Sequence, residues 1–283
     1  MRVATQTSEL SRMFGDEKAV RLLAEIGFDA IDFSMFETEE EVAPVFGRDY
    51  ENYARHLKHV ADECGICFNQ SHAPFPSLRV DDDPYNQKIT PLIHRAIAVT
   101  SILGAKIVIV HPIAGAADQK EFNMEFYNSL IPACKEYGVR VALENMFGGN
   151  PNNGQIIPNV CSTGREFAEY VDALDSCYFT ACLDLGHAGL VGETAENMIR
   201  TLGHDRLKAL HVHDNNHVRD LHTLPFTQSL DWKAITQALK DIKYTGDFTF
   251  EADNFLLKFP KELAVPACKL MLETGRYLAA QCE

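Results

Sequence analysis

Residues 179–188 read FTACLDLGHA, an apolar run with β-branched and aromatic side chains that closes with a carboxylate at Asp184. Such a run is typical of a buried strand, and a charged residue at its end usually has a paired or metal-bound role. A barrel of parallel strands gathers the C-terminal ends of distant segments at one face. We therefore predict that the polar residues ending such runs lie close together. Three more runs share this form: RVALENM (140–146, with Glu144), LKALHVHDN (207–215, with His211) and DFTFEAD (247–253, with Glu251).

Strand candidates alternate with helical segments along the whole chain. Strict alternation implies right-handed crossovers and a parallel sheet, and eight repeats favour closure into a barrel. An open doubly wound sheet is the alternative, but it usually carries a glycine-rich phosphate loop after its first strand, and VATQTSELSRMFG at 3–15 is not one. We predict an α/β fold, a single-domain (β/α)8 TIM barrel over residues 1–283. The eight candidates are VATQT, AIDFSM, CFNQSHA, KIVIVHP, RVALENM, FTACLDLGHA, LKALHVHD and DFTFEAD.

Glycines and loop lengths predict how these elements connect. The segment FNMEFYNSLIPACKEYG at 122–138 has apolar residues at helical spacing and reads as one helix. The longer connections at 36–50, 147–163 and 214–230 follow strand ends, so we expect them to stand over the site as substrate loops. Several helical segments end in a glycine that suits the left-handed closing residue, namely Gly27, Gly65, Gly104, Gly138 and Gly246.

Length and composition limit the kinds of protein that this chain could be. A chain of 283 residues has the usual length of an eight-fold barrel, and 46% hydrophobic with 23% charged residues is typical of a globular protein with a large core. The formal charge of −14 argues against general binding to nucleic acid or an anionic membrane. The amino terminus lacks the apolar core of a secretory signal, and no run approaches the roughly 18 apolar residues of a membrane span. We expect a cytoplasmic protein without a nucleic-acid or membrane partner.

The eight cysteines are scattered over the chain and lie mostly in apolar segments. This pattern differs from the dense disulfide framework of a small secreted domain, so we expect reduced core thiols. Cys64 and Cys67 have the CxxC spacing of redox and zinc sites. However, they span the end of a helix and the start of a strand, and no second CxxC follows, which favours a structural role.

The four residues at the strand ends supply three carboxylates and one imidazole. This hard, mostly oxygen ligand set suits one divalent cation, Mn²⁺ first, with Mg²⁺, Co²⁺ or Zn²⁺ as alternatives. Any one of Glu144, Asp184, His211 and Glu251 alone is equally well explained as a capping or salt-bridged residue. Their common position at consecutive strand ends favours a shared metal. Spacing does not separate His211 from His213, because both have the same parity along the strand.

Further histidines follow strand ends. His187 lies three residues after Asp184 in DLGHAG and is placed to reach the substrate side of the metal. His72 in SHAPF and His111 in VHPIAG each follow a strand and have a proline nearby that fixes the turn, so we expect them to line the same pocket and bind substrate. The alternative for His187 is a loop histidine that only bonds the backbone.

The segment VRDLHTLPF contains a second carboxylate and imidazole pair, Asp220 and His222. An additional metal or the substrate could use this pair, or the two side chains could simply order the loop through local hydrogen bonds. Arg219 beside them suits bidentate binding of a phosphate or a sugar oxygen, or is a surface charge.

The order and spacing of several motifs resemble the xylose isomerase-like TIM-barrel superfamily, the group of sugar phosphate isomerases and epimerases that includes endonuclease IV-type enzymes. The motifs are SHAP, VHP, LEN, DLGHA, HVHDN followed by D-x-H-x-x-P, and FEAD, and together they cover nearly the whole chain. The resemblance implies that Glu144, Asp184, His211 and Glu251 are the shared metal ligands. It thereby selects His211 over His213.

The ketose 3-epimerase branch implies that Glu144 and Glu251 also exchange a proton with the carbon beside the carbonyl, while His187 holds a substrate oxygen. A Lewis acid that stabilises the developing enediolate and two carboxylates on opposite faces suit this carbon-acid chemistry. We predict a metal-dependent isomerase or epimerase acting on a free or phosphorylated ketose, keto-polyol or related polyhydroxy compound. A homo-oligomer is also expected, because barrels of this family often pair.

Two other activities stay open at this point. A keto-inositol dehydratase or lyase shares proton abstraction beside a carbonyl. The endonuclease IV branch, a multi-metal phosphodiesterase, uses additional metal ions, but the acidic balance and the absence of an evident basic DNA-inserting loop oppose it. The segment LPFTQSLDW at 224–232 also replaces the glycine-rich form of this loop. Candidates for all the ligands of the endonuclease branch are present: His72, His111, Glu144, Asp184, His187, His211, Asp220, His222 and Glu251.

Overall fold

Eight parallel strands form the barrel that the sequence predicted. The computed structural model describes residues 1–39 and 43–283, so part of the predicted loop 36–50 lies outside the described residues. The strands are β1 (Val3–Gln6), β2 (Ala30–Ser34), β3 (Cys67–His72), β4 (Ile107–Ile109), β5 (Arg140–Glu144), β6 (Phe147–Gly149), β7 (Ile156–Pro158), β8 (Phe179–Asp184), β9 (Leu207–His211) and β10 (Phe248–Phe250).

The barrel strands follow the order β10-β1-β2-β3-β4-β5-β8-β9. A parallel bridge between Val212, just after β9, and Phe250 of β10 brings the last pair of strands together. The two remaining strands, β6 and β7, form an antiparallel hairpin within the predicted loop 147–163. The barrel thus carries a structured loop over its C-terminal end, next to β5.

Helices surround the barrel and cover its outer face. Within the described ranges, no helix combines the length and the apolar character that a membrane crossing requires. The helices are α1 (Ser8–Phe14), α2 (Asp16–Ile26), α3 (Tyr50–Cys64), α4 (Asp83–Leu103), α5 (Gln119–Ser129), α6 (Ile131–Tyr137), α7 (Gly164–Asp172), α8 (Leu185–Leu190), α9 (Ala195–Arg206), α10 (Trp232–Asp241), α11 (Asp253–Leu256) and α12 (Ala264–Gln281).

Most of the predicted helix ends are confirmed. Gly27, Gly65, Gly104 and Gly138 close α2, α3, α4 and α6 in the left-handed conformation. The prediction for Gly246 was wrong: α10 ends at Asp241, and Lys243 takes the positive φ of 54° instead. Close packing accounts for a glycine at position 246, because a Cβ there would lie 2.7 Å from the carbonyl oxygen of Lys208.

The prediction of one helix over 122–138 was also wrong. The segment divides into α5 and α6 at Leu130, two residues before Pro132. Proline has no N–H to donate and its ring clashes with the carbonyl four residues earlier, so a helix restarts there rather than continuing.

The interior of the barrel contains a small apolar cluster that is separate from the core beneath the helices. Side chains two residues apart on a strand point to the same face of the sheet. The residue two positions after each member of this cluster therefore also points into the barrel, one layer nearer the C-terminal end. Strand periodicity therefore places polar side chains directly above an apolar floor. The floor residues are Ile109, Ala142, Cys182 and Ala209, and two positions after them stand His111, Glu144, Asp184 and His211.

The cysteines are free thiols, as expected from the sequence. Cys134, Cys161, Cys182, Cys268 and Cys282 are buried. Burial raises the pKa of the Cys182 and Cys268 thiols to about 12, which keeps them protonated and unreactive.

Candidate metal centre and substrate cavity

Glu144, Asp184, His211 and Glu251 meet at the C-terminal end of the barrel. One possible ligand atom from each lies within 4.8 Å of those from the other three. The imidazole Nδ1 of His211 is 3.2 Å from Oε1 of Glu144 and 3.0 Å from Oε2 of Glu251. All four side chains are buried. The structure thus brings together the four residues that the sequence grouped, and their metal binding stays a prediction.

A carboxylate that the sequence analysis missed lies behind His211. Oδ2 of Asp32, on β2, is 3.3 Å from Nε2 of His211 and accepts a hydrogen bond of 2.9 Å from the Gln70 side chain. A metal-binding histidine usually donates its second ring N–H to a carboxylate or carbonyl. The signal in the sequence was a charged residue inside the apolar strand AIDFS.

His213 has a different environment from His211. Its Nε2 is 2.9 Å from Oδ1 of Asp184, and its ring stacks on that of His222 with centroids 4.0 Å apart. Gly186 leaves the space for this ring, because a Cβ there would lie 2.5 Å from Nδ1 of His213. His213 therefore contacts Asp184 through its Nε2, whereas Nδ1 of His211 faces the two glutamates.

Asn145 joins the ends of β5 and β8. Its side chain donates to the carbonyl oxygen of Asp184 at 2.9 Å and accepts from the Asp184 N–H at 2.7 Å. The Asn145 carbonyl lies 2.9 Å from Nδ1 of His187, and the Asp184 side chain caps α8 by accepting from the His187 backbone N–H. Buried hydrogen bonds thus connect the LEN motif at the end of β5 to the DLGHA motif at the end of β8.

A second group of possible ligands consists of His187, His213, Asp220 and His222. Oδ2 of Asp220 lies 2.9 Å from Nε2 of His222 and 3.6 Å from Nε2 of His187. Nδ1 of His222 lies 2.9 Å from the Glu251 carbonyl. Because Nδ1 of both His187 and His222 lies against a backbone carbonyl, Nε2 of each ring faces Asp220. The loop pair predicted from VRDLHTLPF therefore lies in the cavity wall, and its use by a metal or the substrate stays a prediction.

A third group combines His72, His111 and Glu144. Nε2 of His111 lies 3.0 Å from Nε2 of His72 and 3.1 Å from Oε2 of Glu144. Nδ1–H of His72 donates to the Ala73 carbonyl at 2.7 Å, which leaves its Nε2 directed into the group. Glu144 thus stands between His211 on one side and His72 and His111 on the other.

Burial and neighbouring charges shift the pKa values of several of these groups. Burial opposes the ionisation of Glu251, but the imidazole of His211 outweighs it and holds the pKa of Glu251 below its usual range. Burial likewise opposes the charged form of His187, yet Asp184 and Asp220 raise its pKa to about 10. Burial lowers the pKa of His111. Glu251 is therefore ionised at neutral pH, and the neighbouring carboxylates favour a positive charge on His187.

The residues present fit a divalent cation. Oε2 of Glu144, Oε2 of Glu251 and Oδ1 of Asp220 are buried and make no hydrogen bond to the described residues. The first two lie 3.1 Å from Nε2 of His111 and 3.0 Å from Nδ1 of His211, but without the alignment of a hydrogen bond. A buried carboxylate oxygen without a donor is costly, and such oxygens are the ligands that hard cations prefer. A cation held by Glu144, Asp184, His211 and Glu251 would satisfy the first two of these atoms.

A cavity of about 960 Å³ extends from these residues towards α1. The described parts of loop 36–50 contribute Phe36 and Val45 to its wall, and Phe147 comes from the start of loop 147–163. A second cavity of about 430 Å³ shares Phe75 and His111 with the first. These contacts agree with the prediction that loops after the strand ends form the walls of a substrate pocket.

Loop 214–230 is held in place by Asp214. The buried carboxylate accepts hydrogen bonds from the backbone N–H groups of Gln228 and Leu230 and from the Trp232 indole N–H. His222 has a φ of 39° in this loop, a conformation that costs energy in a non-glycine residue and is typical of functional sites. The strain is consistent with a loop that places His222 against the site.

Arg219 lies outside the cavity wall, as do the buried side chains of His72, Asp184 and His211. The Arg219 side chain is exposed, and its backbone N–H donates to Oδ1 of Asn216. A role for Arg219 in substrate binding stays a prediction. His72 is buried behind Phe36 and Phe75, whose rings pack edge-on against its imidazole, so it contacts Glu144 rather than the open cavity.

The chain belongs to the xylose isomerase-like TIM barrel family, whose sequence profile matches residues 20–273. Among curated relatives, it is 29% identical over 188 residues to the uncharacterized protein y4fM of Sinorhizobium fredii, a match covering 62% of this chain and 57% of the relative. It is 26% identical over 196 residues to the uncharacterized protein MJ1311 of Methanocaldococcus jannaschii, covering 65% and 64%. The chain thus spans less than two thirds of each relative. A shorter match, 33% identical over 92 residues, covers 32% of this chain and 29% of D-psicose 3-epimerase from Enterocloster bolteae.

Solved structures show the same barrel. A D-tagatose 3-epimerase-like protein superposes with a TM-score of 0.75 at 20% identity, covering 100% of both chains. D-psicose 3-epimerase crystallised in the presence of D-fructose has a TM-score of 0.75 at 16% identity, covering 98% of this chain and 99% of the other. The IOLI protein with a bound zinc atom has a TM-score of 0.71 at 17% identity, covering 100% and 98%. At these identities the likeness establishes the fold.

Proposed function

We propose that this protein is a divalent-metal-dependent sugar isomerase or epimerase that moves a proton on the carbon beside a carbonyl group. The observation that carries the proposal is the arrangement of Glu144 and Glu251 around Nδ1 of His211, at 3.2 and 3.0 Å. Each glutamate keeps one buried oxygen that makes no hydrogen bond to the described residues. The names of the structural neighbours, which include D-tagatose and D-psicose 3-epimerases, support a carbohydrate substrate.

Two carboxylates beside one cation suit proton transfer at a carbon acid. The cation, when bound, polarises the substrate carbonyl and stabilises negative charge on its oxygen. Glu251 is ionised at neutral pH, since its pKa is held low, and it can therefore accept a proton. Gln6 donates a hydrogen bond of 2.7 Å to Oε1 of Glu251 and fixes the carboxylate. Delivery of the proton by Glu251 to the former carbonyl carbon, with a proton passing between the two substrate oxygens, gives isomerisation. Epimerisation needs a protonated Glu144 that gives its proton to the opposite face of the original carbon, while Glu251 keeps the proton it removed.

Deuterium uptake tests this proposal. Metal-stripped protein is reconstituted with Mn²⁺ and incubated in D₂O with ketoses, ketose phosphates and inososes, and the mass of each compound is followed. Exchange that requires both the metal and Glu251 is expected. Loss of water from an inosose would assign the keto-inositol dehydratase activity instead. Absence of exchange from every compound would contradict the proposal.

A second candidate is an endonuclease IV-like multi-metal phosphodiesterase. The observation that favours it is the presence, among the described residues, of four neighbouring groups of possible ligands, with Glu144 shared between two of them. The net charge of −14 opposes it, because a protein that neutralises several phosphates needs clustered basic residues. Binding of nearly three metal ions per chain, together with cleavage of DNA containing abasic sites, would establish this activity. Binding of one ion and no cleavage would exclude it.

A further inference from the structure

The outer face of α12 carries a row of exposed apolar side chains. Leu263 at the N-cap, Leu270 and Tyr277 are 46%, 54% and 59% exposed. They follow one another at intervals of seven residues, after which an α-helix returns to nearly the same face. The three side chains therefore form one stripe about 21 Å long, which we call the α12 stripe.

The opposite face of α12 already satisfies the packing of the barrel. A Cβ at Gly275 would lie 2.6 Å from side-chain atoms of Val3 and Phe250, so the helix approaches β1 and β10 closely. The α12 stripe is therefore not needed to attach the helix to the barrel. Single exposed apolar residues are common on protein surfaces, but a contiguous row of them marks an interaction surface. The buried residues of this inner face are Ala264, Ala267, Cys268, Met271, Leu272, Gly275, Leu278 and Ala279.

Phe226 in loop 214–230 extends the α12 stripe to one side. Its ring is 57% exposed and lies 6.0 Å from the ring of Tyr277 and 6.3 Å from that of Trp232, between centroids. Phe226 has a φ of 73°, in the left-handed region that a bulky side chain rarely adopts. Strain of this kind persists only where the surroundings hold it, and it clusters at functional sites. The loop thus places an aromatic ring in solvent beside Tyr277 in a conformation that costs energy.

The charges beside the α12 stripe suit a second copy of the same surface. The net charge of −14 makes most contacts between two copies repulsive. Arg276 is held by Asp29, whereas Lys269 and Glu273 form no ion pair with another described residue. Charges on this face are nearly balanced, which removes the general repulsion here. The exposed charged residues of α12 and of the turn before it are Lys261, Lys269, Arg276, Glu262 and Glu273.

An antiparallel pair of α12 helices, one from each copy, would use these charges. With a two-fold axis beside residue 271, positions equally far before and after that residue face each other across the axis. Lys269 then faces Glu273 of the second copy, and the symmetry repeats this contact on the other side of the axis. The two Leu270 side chains meet close to the axis. Charge complementarity therefore selects one register for the pair.

The same register packs the rest of the α12 stripe. Tyr277 would lie over the gap between Leu263 and Pro266 of the second copy, as side chains of packed helices enter the grooves of their neighbours. The helix of 18 residues is about 27 Å long. A standard interface buries about 800 Å² on each partner, a patch roughly 30 Å across. The helix together with Phe226 therefore matches the size that a stable pair requires.

We propose that the α12 stripe and Phe226 form a two-fold interface between two copies of this chain, with the α12 helices antiparallel. This inference goes beyond the proposed function and does not depend on it. Its consequence for the site comes through loop 214–230, which carries Phe226 as well as Asp220 and His222. Pairing covers the exposed ring of Phe226 and thereby holds the loop that places these two side chains in the cavity wall.

Sedimentation equilibrium at protein concentrations up to about 100 µM tests the interface. The unaltered protein is expected to form dimers. Leu270→Glu brings two carboxylates together at the axis and is expected to weaken association by about a hundredfold or more. Ile157→Glu, at an exposed apolar residue on the β6–β7 hairpin, should leave association unchanged. Circular dichroism checks the fold. A monomeric unaltered protein, or equal association of the two variants, would overturn the inference.

Charge exchange tests the antiparallel register. Lys269→Glu and Glu273→Lys should each weaken self-association by about tenfold, because like charges then face each other twice. In a mixture of the two variants opposite charges face each other again, so association should return to the level of the unaltered protein. The double variant, whose net charge is unchanged, should recover in the same way. A mixture or double variant that associates no better than the single variants would exclude this register.

Hydrogen exchange tests the effect on loop 214–230. The Gln228 N–H, which is donated to Asp214, should exchange more slowly in the unaltered protein than in Leu270→Glu. Equal exchange rates would remove the proposed effect on the loop. Vesicles of phosphatidylcholine and phosphatidylglycerol test the other use of an apolar stripe beside lysines. Cosedimentation of a monomeric unaltered protein with them would assign the α12 stripe to a membrane surface and overturn the inference.

Discussion

Asp32 and His211 form a buried pair in which Oδ2 of the carboxylate lies 3.3 Å from Nε2 of the imidazole. The opposite ring nitrogen, Nδ1, faces both Glu144 and Glu251. A carboxylate beside Nε2 favours the tautomer with the proton on that nitrogen, which leaves Nδ1 available to a cation. The strand β2, which carries no predicted ligand, therefore supports the predicted ligand His211 on β9.

Asp32→Asn is expected to weaken metal binding by about 10–100-fold, the usual effect of removing such a supporting group. The amide keeps the shape of the side chain but removes the negative charge that stabilises the imidazole N–H. Competition with a metal chelator measures the affinity, and thermal unfolding checks the fold. Asp241→Asn, at an exposed ion pair with Arg200, is the matched control. Equal affinities of the two variants would show that Asp32 has no role at the metal centre.

Glu251→Gln is expected to reduce deuterium exchange by about 10²–10⁴-fold at saturating metal, because the amide cannot accept the substrate proton. The fold should survive, since the Gln6 side chain can still donate a hydrogen bond to the amide oxygen. Glu169→Gln on the exposed face of α7 provides the control. Full activity of Glu251→Gln with metal bound would remove the two-glutamate mechanism.

Gly186→Ala is expected to destabilise the protein by about 1–3 kcal/mol, the range for forcing a methyl group into a packed interior. The added Cβ would overlap the ring of His213, which bonds Asp184 and stacks on His222. Gly149→Ala is the matched control, because its Cβ would meet nothing within 4 Å. Denaturant unfolding compares them, and a metal titration should show weaker binding only for the first. Similar stability of the two variants would mean that the His213 ring moves without cost.

Asp29 gives a pH dependence of stability away from the site. It accepts hydrogen bonds from the Val3 backbone N–H at 2.7 Å and from Arg276 at 2.8 Å, and so links β1 to α12. Burial opposes its ionisation, but Arg276 and Val3 outweigh burial and lower the pKa of Asp29. A carboxylate with a lowered folded-state pKa stabilises the protein above its unfolded pKa, about 3.9, and loses this effect as the pH falls through the folded value.

Asp29→Asn should therefore lower the free energy of unfolding by about 0.5–1 kcal/mol at pH 7, the scale of a partly exposed charged pair. The difference from the unaltered protein should shrink below about pH 4, where Asp29 becomes protonated. Urea unfolding at several pH values measures both. Glu51→Gln, in an exposed pair with Arg55, should show no such trend. A difference that is constant with pH would contradict this account.

The barrel and the four strand-end residues were predictable because both depend on local periodicity. Alternation of strand and helix fixes parallel crossovers, and a period of two fixes which strand residues point inward. Pro132 and Lys243 show where such reasoning failed: a proline divided an apparently continuous helix, and a lysine rather than Gly246 took the left-handed position. Both errors concern chain geometry at element ends.

The supporting residues were not predictable in the same way. Gln6, Gln70 and Asn145 act through partners on other strands, and each is an ordinary polar residue in its own segment. Asp32 alone of this set carries a local signal, as a charged residue inside an apolar strand. Arg219 is a residue for which proximity in the sequence was misleading. It adjoins Asp220 in the chain, but its side chain is exposed.

The sequence by itself determined the order of strands and helices and the polar residues that end the strands, because hydrophobic periodicity is a local property of the chain. The tertiary structure decided which nitrogen of His211 faces the glutamates, which residues support the site, and which loops form the cavity wall. These features depend on distances between segments far apart in the chain, and those distances are set only when the strands close into a barrel.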